Sequence, residues 1–282
     1  TRRRHHPRQA RMTAAAHLDE PFRSLWAGRD PFAAAEALQG KVVRAMDGRR
    51  TFRTEVAGRG YFVKIHRGVG WGEIVKNLVS GRLPILGAAN EWHATRRLAE
   101  LGVDSLRAVA FGERGGNPAR RHSFIITEEL TPIISLENYT RSWPQHPPAP
   151  ALKRALIERV ATMARRMHQG GVNHRDLYIC HFLLHLDPPP TPAGLRLSLV
   201  DLHRAQIRAR TPRRWRDKDL AALHFSSLAI GLTRRDRLRF LRTYFAQPLR
   251  EILRTEGRLL AHLARESVRL QARFNRKFAG KS

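Results

Sequence analysis

The sequence contains very little cysteine and no long apolar run. Cys180 is the single cysteine among 282 residues, which excludes an internal disulfide and fits a reducing cytoplasm. No apolar stretch reaches the length of about 18 residues that a membrane-spanning helix needs. The arginine- and histidine-rich N-terminus has no apolar segment behind it, so it lacks the pattern of a secretory signal. These absences, with 42% hydrophobic residues, predict a globular protein with a substantial core.

Acidic residues are also scarce. Asp and Glu number 24 against 52 Lys and Arg, a formal net charge of +28. Such an excess predicts a polyanionic partner, whether nucleic acid, an anionic lipid surface, a phosphorylated glycan or an acidic protein. No recognised RNA- or DNA-binding motif is present, which disfavours nucleic acid. Residues 1–20 form a basic tail with little to pack, and we expect it to be disordered.

The order of elements predicts an α+β protein in two parts. Segments Lys41–Met46, Thr51–Ala57 and Gly60–His66 are rich in strand-forming residues and are separated by turn signals, which predicts an antiparallel meander. Leu152–His168 has the apolar spacing of a long amphipathic helix. The run that follows, Val172–Leu186, has strand character, and the remainder is helical. We expect a sheet-rich half over residues 21–130 and a larger helical half over residues 131–282.

Four side chains occur in an order that suits phosphoryl transfer from ATP. Lys64 lies on a predicted strand, and Glu91 lies on the apolar face of a predicted helix, where an unpaired carboxylate would be costly. Asp176 follows a His-Arg pair after the long helix, and Asp201 ends an apolar strand. Phosphoryl transfer needs a cation on the phosphates, a metal ligand and a base near the attacking hydroxyl. We therefore expect Lys64, held by Glu91, to bind the phosphates, Asp201 to bind Mg²⁺ and Asp176 to accept the hydroxyl proton.

Supporting residues surround the proposed base. His174 and Arg175 precede Asp176 directly, and Asp217 or Asp219 could stabilise the backbone of this tripeptide from the next helix. A plain helix cap at Asp219 is an equally good interpretation. We expect the four principal side chains to converge on one nucleotide–metal pocket between two lobes.

The sequence resembles the lipopolysaccharide core heptose(I) kinases of Gram-negative bacteria. The Asn-His-Arg-Asp-Leu-Tyr-Ile-Cys-His-Phe run from residue 173 to 182 is its most specific feature. The segments that carry the resemblance are Gly60–His66, Phe124–Leu130, Gly171–Leu184, Ser198–Ala205, Asp219–Ser226 and Gly231–Leu238. The resemblance implies a bilobal protein-kinase-like fold, with a small antiparallel-sheet N-lobe that binds the nucleotide and a larger helical C-lobe that carries the base and the acceptor.

The resemblance also implies a reaction and its setting. The enzyme would be cytoplasmic, peripheral on the inner face of the inner membrane, and would move the γ-phosphate of ATP, with Mg²⁺, to a heptose hydroxyl of the inner core. Its partners would be the lipopolysaccharide acceptor, the anionic membrane surface and, as a further candidate, an acidic protein. The stretch Thr127, Glu128, Glu129 and Leu130 would be the hinge that receives adenine through backbone groups.

Three departures from the general protein-kinase pattern concern nucleotide handling. The glycine-rich loop is absent, and only Gly48, after Asp47, occupies the corresponding turn. The Asn expected five residues after the base is replaced by His181, a poorer Mg²⁺ ligand that could instead act on phosphate. Leu202-His203 stands where Phe-Gly is usual.

The sequence leaves three alternatives open. One is a kinase with a neighbouring acceptor, either the Kdo sugar or an aminoglycoside-type substrate. The second is a basic nucleic-acid-binding protein, and the third is a scaffold that kept the fold without catalysis.

Overall fold

A computed structural model describes residues 15–46, 48–68, 70–79 and 87–278. Most of the predicted basic tail and the turn residue Asp47 lie outside the described residues. The described chain divides into two compact units. None of the helices in these ranges combines the length and apolarity needed to cross a bilayer.

The first unit comprises the described residues up to Trp92, together with Arg107–Glu129. Its strands are β1 (Ala15–Leu18), β2 (Lys41–Met46), β3 (Arg49–Val56), β4 (Arg59–His66), β5 (Ala108–Arg114) and β6 (His122–Glu128). Its helices are α1 (Phe22–Leu25), α2 (Pro31–Ala37) and α3 (Gly70–Val79), and α4 (Ala89–Glu100) begins in it. The six strands form one antiparallel sheet in the order β1-β5-β6-β4-β3-β2.

The predicted meander of β2, β3 and β4 is confirmed. In β4 the side chains alternate, so Tyr61, Val63 and Ile65 are buried at 0–1% exposure. They pack with Phe52 of β3 in the core of this unit. Because successive strand residues point to opposite faces, the same alternation places Lys64 on the other face of the sheet.

The predicted disordered tail of residues 1–20 is wrong at its C-terminal end. Ala15–Leu18 form strand β1, which pairs with β5 in register from Ala15 opposite Glu113 to Leu18 opposite Ala110. The segment contains small apolar residues and Leu18, which packs against the core of the first unit. A free edge of β5 offers backbone partners that the local sequence cannot reveal.

The second unit comprises His93–Leu106 and the described residues from Leu130 onward. Its strands are β7 (Ile133–Ser135), β8 (Val172–Asn173), β9 (Phe182–His185), β10 (Leu197–Leu199) and β11 (Gln206–Ile207). Its further helices are α5 (Leu136–Tyr139), α6 (Pro150–Gln169), α7 (Arg213–Ser226), α8 (Arg234–Phe245), α9 (Leu249–Thr255) and α10 (Gly257–Phe278). Strands β10, β9 and β7 form a small sheet, and β11 pairs with β8.

Helix α6 supplies much of the core of the second unit. Its predicted apolar face is confirmed, since Leu156, Val160, Met163 and Met167 are all buried. Pro150 stands at its first turn, where a missing backbone N–H costs nothing. The sheet-rich first unit and the helix-rich second unit together confirm the predicted α+β class with an antiparallel sheet.

The predicted strand run over Val172–Leu186 is wrong in its middle. Strands β8 and β9 are separated by a loop and a 3₁₀ turn over Ile179–His181. Arg175 adopts a left-handed backbone conformation, with φ of 74°, which a strand does not accommodate. The backbone N–H groups of His174 and Arg175 bind a carboxylate from α7 instead of a neighbouring strand. This loop positions the candidate site of the second unit.

Candidate functional site

The first unit contains a lysine–glutamate ion pair. The Nζ atom of Lys64 lies 2.6 Å from Oε1 of Glu91. Glu91 stands in the first turn of α4 and is only 2% exposed, so Lys64 provides the partner that its buried carboxylate requires. The lysine side chain is one-quarter exposed, at 25%. The ammonium is thus fixed in position yet accessible to an anionic ligand such as a phosphate.

The candidate hinge stretch begins at the end of β6. Thr127 is buried there, whereas the side chains of Glu128 and Glu129 pair with Arg107 and Arg53. The backbone N–H groups of Glu128 and Glu129 donate to carbonyls of neighbouring segments, each at 2.9 Å. A nucleotide would therefore have to bind through other backbone groups of this stretch. Leu130 is the first residue of the second unit after β6.

Asp219 organises the catalytic-loop candidate in the second unit. This residue lies in α7 with no solvent exposure, and its carboxylate accepts the backbone N–H of His174 at 2.7 Å and of Arg175 at 2.8 Å. The ring of His168 contacts it at 3.2 Å. Asp219 therefore contacts the backbone of the His-Arg-Asp tripeptide in the way that its predicted supporting role requires. It is not a helix cap, because it lies in the middle of α7.

Asp176 carries a partner that the sequence analysis did not assign. The Nη1 atom of Arg204 lies 2.9 Å from Oδ2 and 3.1 Å from Oδ1 of Asp176. The Asp176 side chain remains partly exposed, at 22%. A partly exposed carboxylate whose orientation is fixed by a cation can receive a proton from a bound hydroxyl group.

His181 connects the two aspartates of the second unit. Its Nδ1 atom lies 2.7 Å from the backbone carbonyl of Asp176, and its Nε2 atom lies 3.3 Å from Oδ2 of Asp201. A carbonyl only accepts, so Nδ1 carries the proton. The other oxygen of Asp201 contacts Nδ1 of His203.

Asp201 itself is held in an unusual backbone conformation. Its φ of 66° is left-handed, a region that aspartate tolerates better than most residues. Its side chain is 38% exposed. A partly accessible carboxylate thus stands just after the end of strand β10.

His174 lies behind His181 and is fully buried. The two rings stack with their centroids 5.5 Å apart. Nε2 of His174 donates to the carbonyl of Val200 at 2.9 Å, and burial lowers the pKa of its imidazole below the ordinary value. His174 is therefore a neutral structural residue that supports the ring of His181.

The donor set can be compared with the requirements of Mg²⁺. Across the ranges the structure describes, no three His, Cys, Asp or Glu side chains cluster as a complete metal site. Mg²⁺ usually takes only one or two carboxylates and completes its shell with water and substrate phosphates. The exposed carboxylate of Asp201 fits this requirement. The imidazole of His181 does not, because Mg²⁺ prefers oxygen ligands.

Comparison with known proteins places the chain in a family. The profile of the lipopolysaccharide kinase (Kdo/WaaP) family matches residues 33–244. The chain belongs to the lipopolysaccharide kinase (Kdo/WaaP) family. It is accordingly a kinase that transfers phosphate to a sugar hydroxyl, which confirms the predicted enzyme class and family resemblance.

Individual relatives within the Kdo/WaaP family are similar over almost their whole length. The chain is 64% identical to the lipopolysaccharide core heptose(I) kinase WaaP of Pseudomonas aeruginosa, over 92% of this chain and 97% of that protein. It is 55% identical to the WaaP of Escherichia coli, with 92% and 98% covered. A solved structure of WaaP in complex with acyl carrier protein superposes with a TM-score of 0.81 at 60% identity, covering 91% of this chain and 99% of that one. This likeness confirms the predicted protein-kinase-like fold.

The structure groups the sequence-predicted residues of this Kdo/WaaP-family chain into two sets. Lys64 and Glu91 form an ion pair in the first unit. The second unit brings together its predicted residues, which are His174, Arg175, Asp176, His181, Asp201 and Asp219. Sequence patterns assign no contact to Arg204 or to His203, although both lie in the motif Ser198–Ala205, because no spacing rule shows which side chain will contact a given carboxylate.

Proposed function

We propose that this chain is an ATP-dependent kinase that phosphorylates a heptose hydroxyl of the lipopolysaccharide inner core. The connected group of Asp176, His181 and Asp201 carries the proposal, since it offers a proton acceptor and a metal-binding carboxylate held by one ring. The acceptor is supported by the 64% identity to a relative named as a core heptose(I) kinase.

In this reaction Asp176 accepts the proton of the attacking hydroxyl. Arg204 orients its carboxylate, and Asp219 fixes the backbone that precedes it. Lys64, held by Glu91, contacts the phosphates of ATP. Asp201 would hold Mg²⁺, which neutralises charge on the phosphates when bound. His181 orients Asp201 and does not itself serve as a ligand for Mg²⁺.

Substitution of the base tests the proposal directly. Asp176→Asn should lower the rate of ADP release in the presence of a heptose-bearing acceptor by orders of magnitude. Glu100→Gln removes one negative charge from an exposed position of α4 and should leave the rate unchanged. Unchanged turnover in Asp176→Asn would contradict the assignment of Asp176 as the base.

The choice of acceptor needs its own assay. Defined truncated core glycolipids that end in Kdo or in heptose should be compared, with an aminoglycoside as a third acceptor. We expect phosphate only on the heptose-bearing acceptor. Phosphorylation of Kdo or of the aminoglycoside would contradict heptose as the acceptor, but it would still support a kinase.

ATP and Mg²⁺ binding can be measured without turnover. Addition of ATP with Mg²⁺ should raise the melting temperature of the wild type. The same addition should raise it less in Lys64→Met, which lacks the phosphate-binding cation. A wild type whose melting temperature does not respond would favour the non-catalytic scaffold.

An acidic acyl carrier protein is the proposed protein partner. The net charge of +28 favours an acidic partner, and a related WaaP has been solved in complex with acyl carrier protein. The second unit also contains a largely apolar cavity of about 240 Å³ that could take an acyl chain. Residues lining this cavity include Trp143, Leu156, Val160, Leu220, Leu223, Phe240, Leu260 and Leu263.

This proposal predicts that acylation of the carrier protein increases its affinity for the chain. Titration calorimetry should show tighter binding of the acylated than of the unacylated carrier protein, and both should weaken as salt increases. Val160→Trp should reduce only the difference between the two forms, because it fills the cavity. Equal affinities of the wild type for both forms would contradict the assignment of the cavity.

Peripheral attachment to an anionic membrane surface is also proposed. Helix α3 exposes Trp71, Val75 and Val79, which are 59%, 53% and 84% exposed and spaced by four residues. An apolar helix stripe on a cationic protein can insert at the interface of an anionic bilayer. Sedimentation with phosphatidylglycerol vesicles should retain the wild type, and Trp71→Ser/Val75→Ser should retain less. If neutral vesicles retained the wild type and the variant equally well, this would contradict attachment to an anionic membrane surface.

A further inference from the structure

A cluster of cations surrounds one tryptophan in the second unit. The indole ring of Trp215 has the guanidinium carbons of Arg175, Arg208 and Arg214 at 5.6, 5.9 and 4.9 Å from its centroid. The Nζ atom of Lys218 lies 5.5 Å from the same centroid. We call these five residues the Trp215 cluster. Four like charges around one ring repel one another, so the arrangement requires a compensating interaction.

Carboxylates compensate this charge only in part. The charges of Asp176 and Asp219 act on Arg175 through space, but within the described ranges none of the four cations forms a salt bridge. Arg208 donates instead to the neutral amide oxygens of Asn173 and Gln206, at 2.6 and 2.7 Å. The Nε atom of Arg175 is buried without an acceptor. The cluster therefore has unused donors and excess positive charge, which together fit an anionic ligand.

The nearest carboxylates are already engaged. Asp176 is bound by Arg204, and Asp219 accepts backbone N–H groups. Burial, together with the charges of Arg204 and Arg208, lowers the pKa of Arg175, and the charges of Asp176 and Asp219 offset only part of this shift. The guanidinium of Arg175 is thus held in an environment that an oxyanion would improve.

Two arginines of the cluster are placed by unusual backbone features. Arg175 has a φ of 74°, and its N–H binds Asp219 at 2.8 Å. The N–H of Arg208 donates to the carbonyl of Gly171 at 2.9 Å. A side chain at Gly171 would put its Cβ 1.8 Å from the Arg208 carbonyl oxygen, so only glycine allows this approach. These backbone contacts fix the positions of Arg175 and Arg208 next to Trp215.

We propose that the Trp215 cluster binds an oxyanion of the sugar acceptor, either a carboxylate or a phosphate, beside the hydroxyl that is phosphorylated. The inference rests on the proposed function, in which Asp176 accepts the acceptor's proton, because Arg175 directly precedes Asp176. Guanidinium groups bind carboxylates and phosphates through paired donors, and a bound oxyanion would reduce the repulsion among the four cations. The cluster would select acceptors that carry an acidic group.

The variant Arg214→Gln/Lys218→Gln tests the cluster with little risk to folding, because both side chains are exposed. For an acidic heptose acceptor we expect KM to rise about tenfold, with kcat changed less than about twofold. The matched control is Arg234→Gln/Arg235→Gln, which removes two exposed cations from α8. A similar rise of KM in the control would show general electrostatic attraction and overturn the proposal.

Modified acceptors identify the anion. One arm uses an acceptor whose carboxylates are reduced to alcohols, and the other uses an acceptor whose phosphates are removed. For the wild type, KM should be higher for one of the two modified acceptors than for the unmodified acceptor, and that acceptor identifies the bound group as a carboxylate or a phosphate. For Arg214→Gln/Lys218→Gln, KM should be the same for that modified acceptor and for the unmodified one. An equal KM of the wild type for all three acceptors would contradict the anion site at the Trp215 cluster, but it would not contradict the proposed kinase function.

A binding measurement separates this proposal from the kinase assignment. Inorganic sulfate should raise the melting temperature of the wild type and of the α8 control, but raise it less in Arg214→Gln/Lys218→Gln. A wild type inactive on every acceptor would overturn the proposed function. Equal responses to sulfate in all three proteins would overturn the cluster as an anion site.

Discussion

The guanidinium of Arg204 contacts both carboxylate oxygens of Asp176 through one nitrogen, at 2.9 and 3.1 Å. Because this contact fixes the carboxylate, Arg204→Gln should lower kcat about tenfold or more and change KM for ATP little. Arg204→Lys should retain more activity, since an ammonium can reproduce a single-nitrogen contact. Steady-state kinetics should be compared with Arg159→Gln, which breaks the exposed pair with Asp104. A kcat unaffected by Arg204→Gln would show that the contact does not orient the base.

The position of His181 predicts a particular metal preference. Its Nε2 atom lies 3.3 Å from Asp201, so an imidazole nitrogen stands beside the carboxylate oxygens that would hold the metal. Mn²⁺ accepts such a pair better than Mg²⁺ does. With a non-hydrolysable ATP analogue, calorimetry should show tighter binding of Mn²⁺ than of Mg²⁺. His181→Asn should reduce this preference about tenfold. A preference unchanged in the variant would mean that the imidazole has no influence on the metal.

Asp219→Asn should destabilise the protein strongly. The carboxylate is fully buried and accepts two backbone N–H groups, whereas an amide would turn its own NH₂ toward one of them. The loss should be about 2–4 kcal/mol, seen as a lower melting temperature. Asp217→Asn, two residues earlier in the same helix, disrupts a partly exposed pair with Arg216 and should cost less than about 1 kcal/mol. Equal losses in the two variants would contradict the organising role of Asp219.

Lys64 and Glu91 lend themselves to a double-mutant cycle. Lys64→Met leaves the buried Glu91 carboxylate without its cation, so both ATP affinity and melting temperature should fall. In Lys64→Met/Glu91→Met the melting temperature should recover, because no buried charge remains, while ATP affinity should stay low. Thermal unfolding and nucleotide titration measure the two effects separately. Failure of the second substitution to restore stability would argue against the pair as the cause of the loss.

His174 should make stability depend on pH. Burial lowers the pKa of His174 below its unfolded value, so the unfolded chain binds a proton that the folded chain excludes. The resulting stability is complete above the unfolded pKa of about 6.5 and declines as pH falls below it. The decline in melting temperature between about pH 7 and 5 should be smaller in His174→Gln than in the wild type. His146→Gln, at an exposed position, should behave like the wild type. The same pH dependence in His174→Gln would show that this ring is not a source of it.

Short-range patterns predicted much of the fold. The apolar spacing of Leu152–His168 and the alternation around Lys64 follow from helix and strand periodicity, and α6 and β4 confirm both. The same reasoning failed for Val172–Leu186. Strand-forming residues dominate that run, but the buried carboxylate of Asp219 competes with a strand partner for its backbone N–H groups.

Motifs in the amino-acid order are enough to predict the family, the order of the chemical groups and the candidate aspartates. Which side chains contact those aspartates depends on the packing of the second unit. Arg204 is 28 residues from Asp176, and Asp219 is 45 residues from His174. Periodicity acts over one helical turn or two strand residues, whereas contacts at such separations depend on how the segments pack. The Trp215 cluster combines both kinds of information, since Arg214 and Lys218 adjoin Trp215 in α7, whereas Arg175 reaches the ring from the loop after β8.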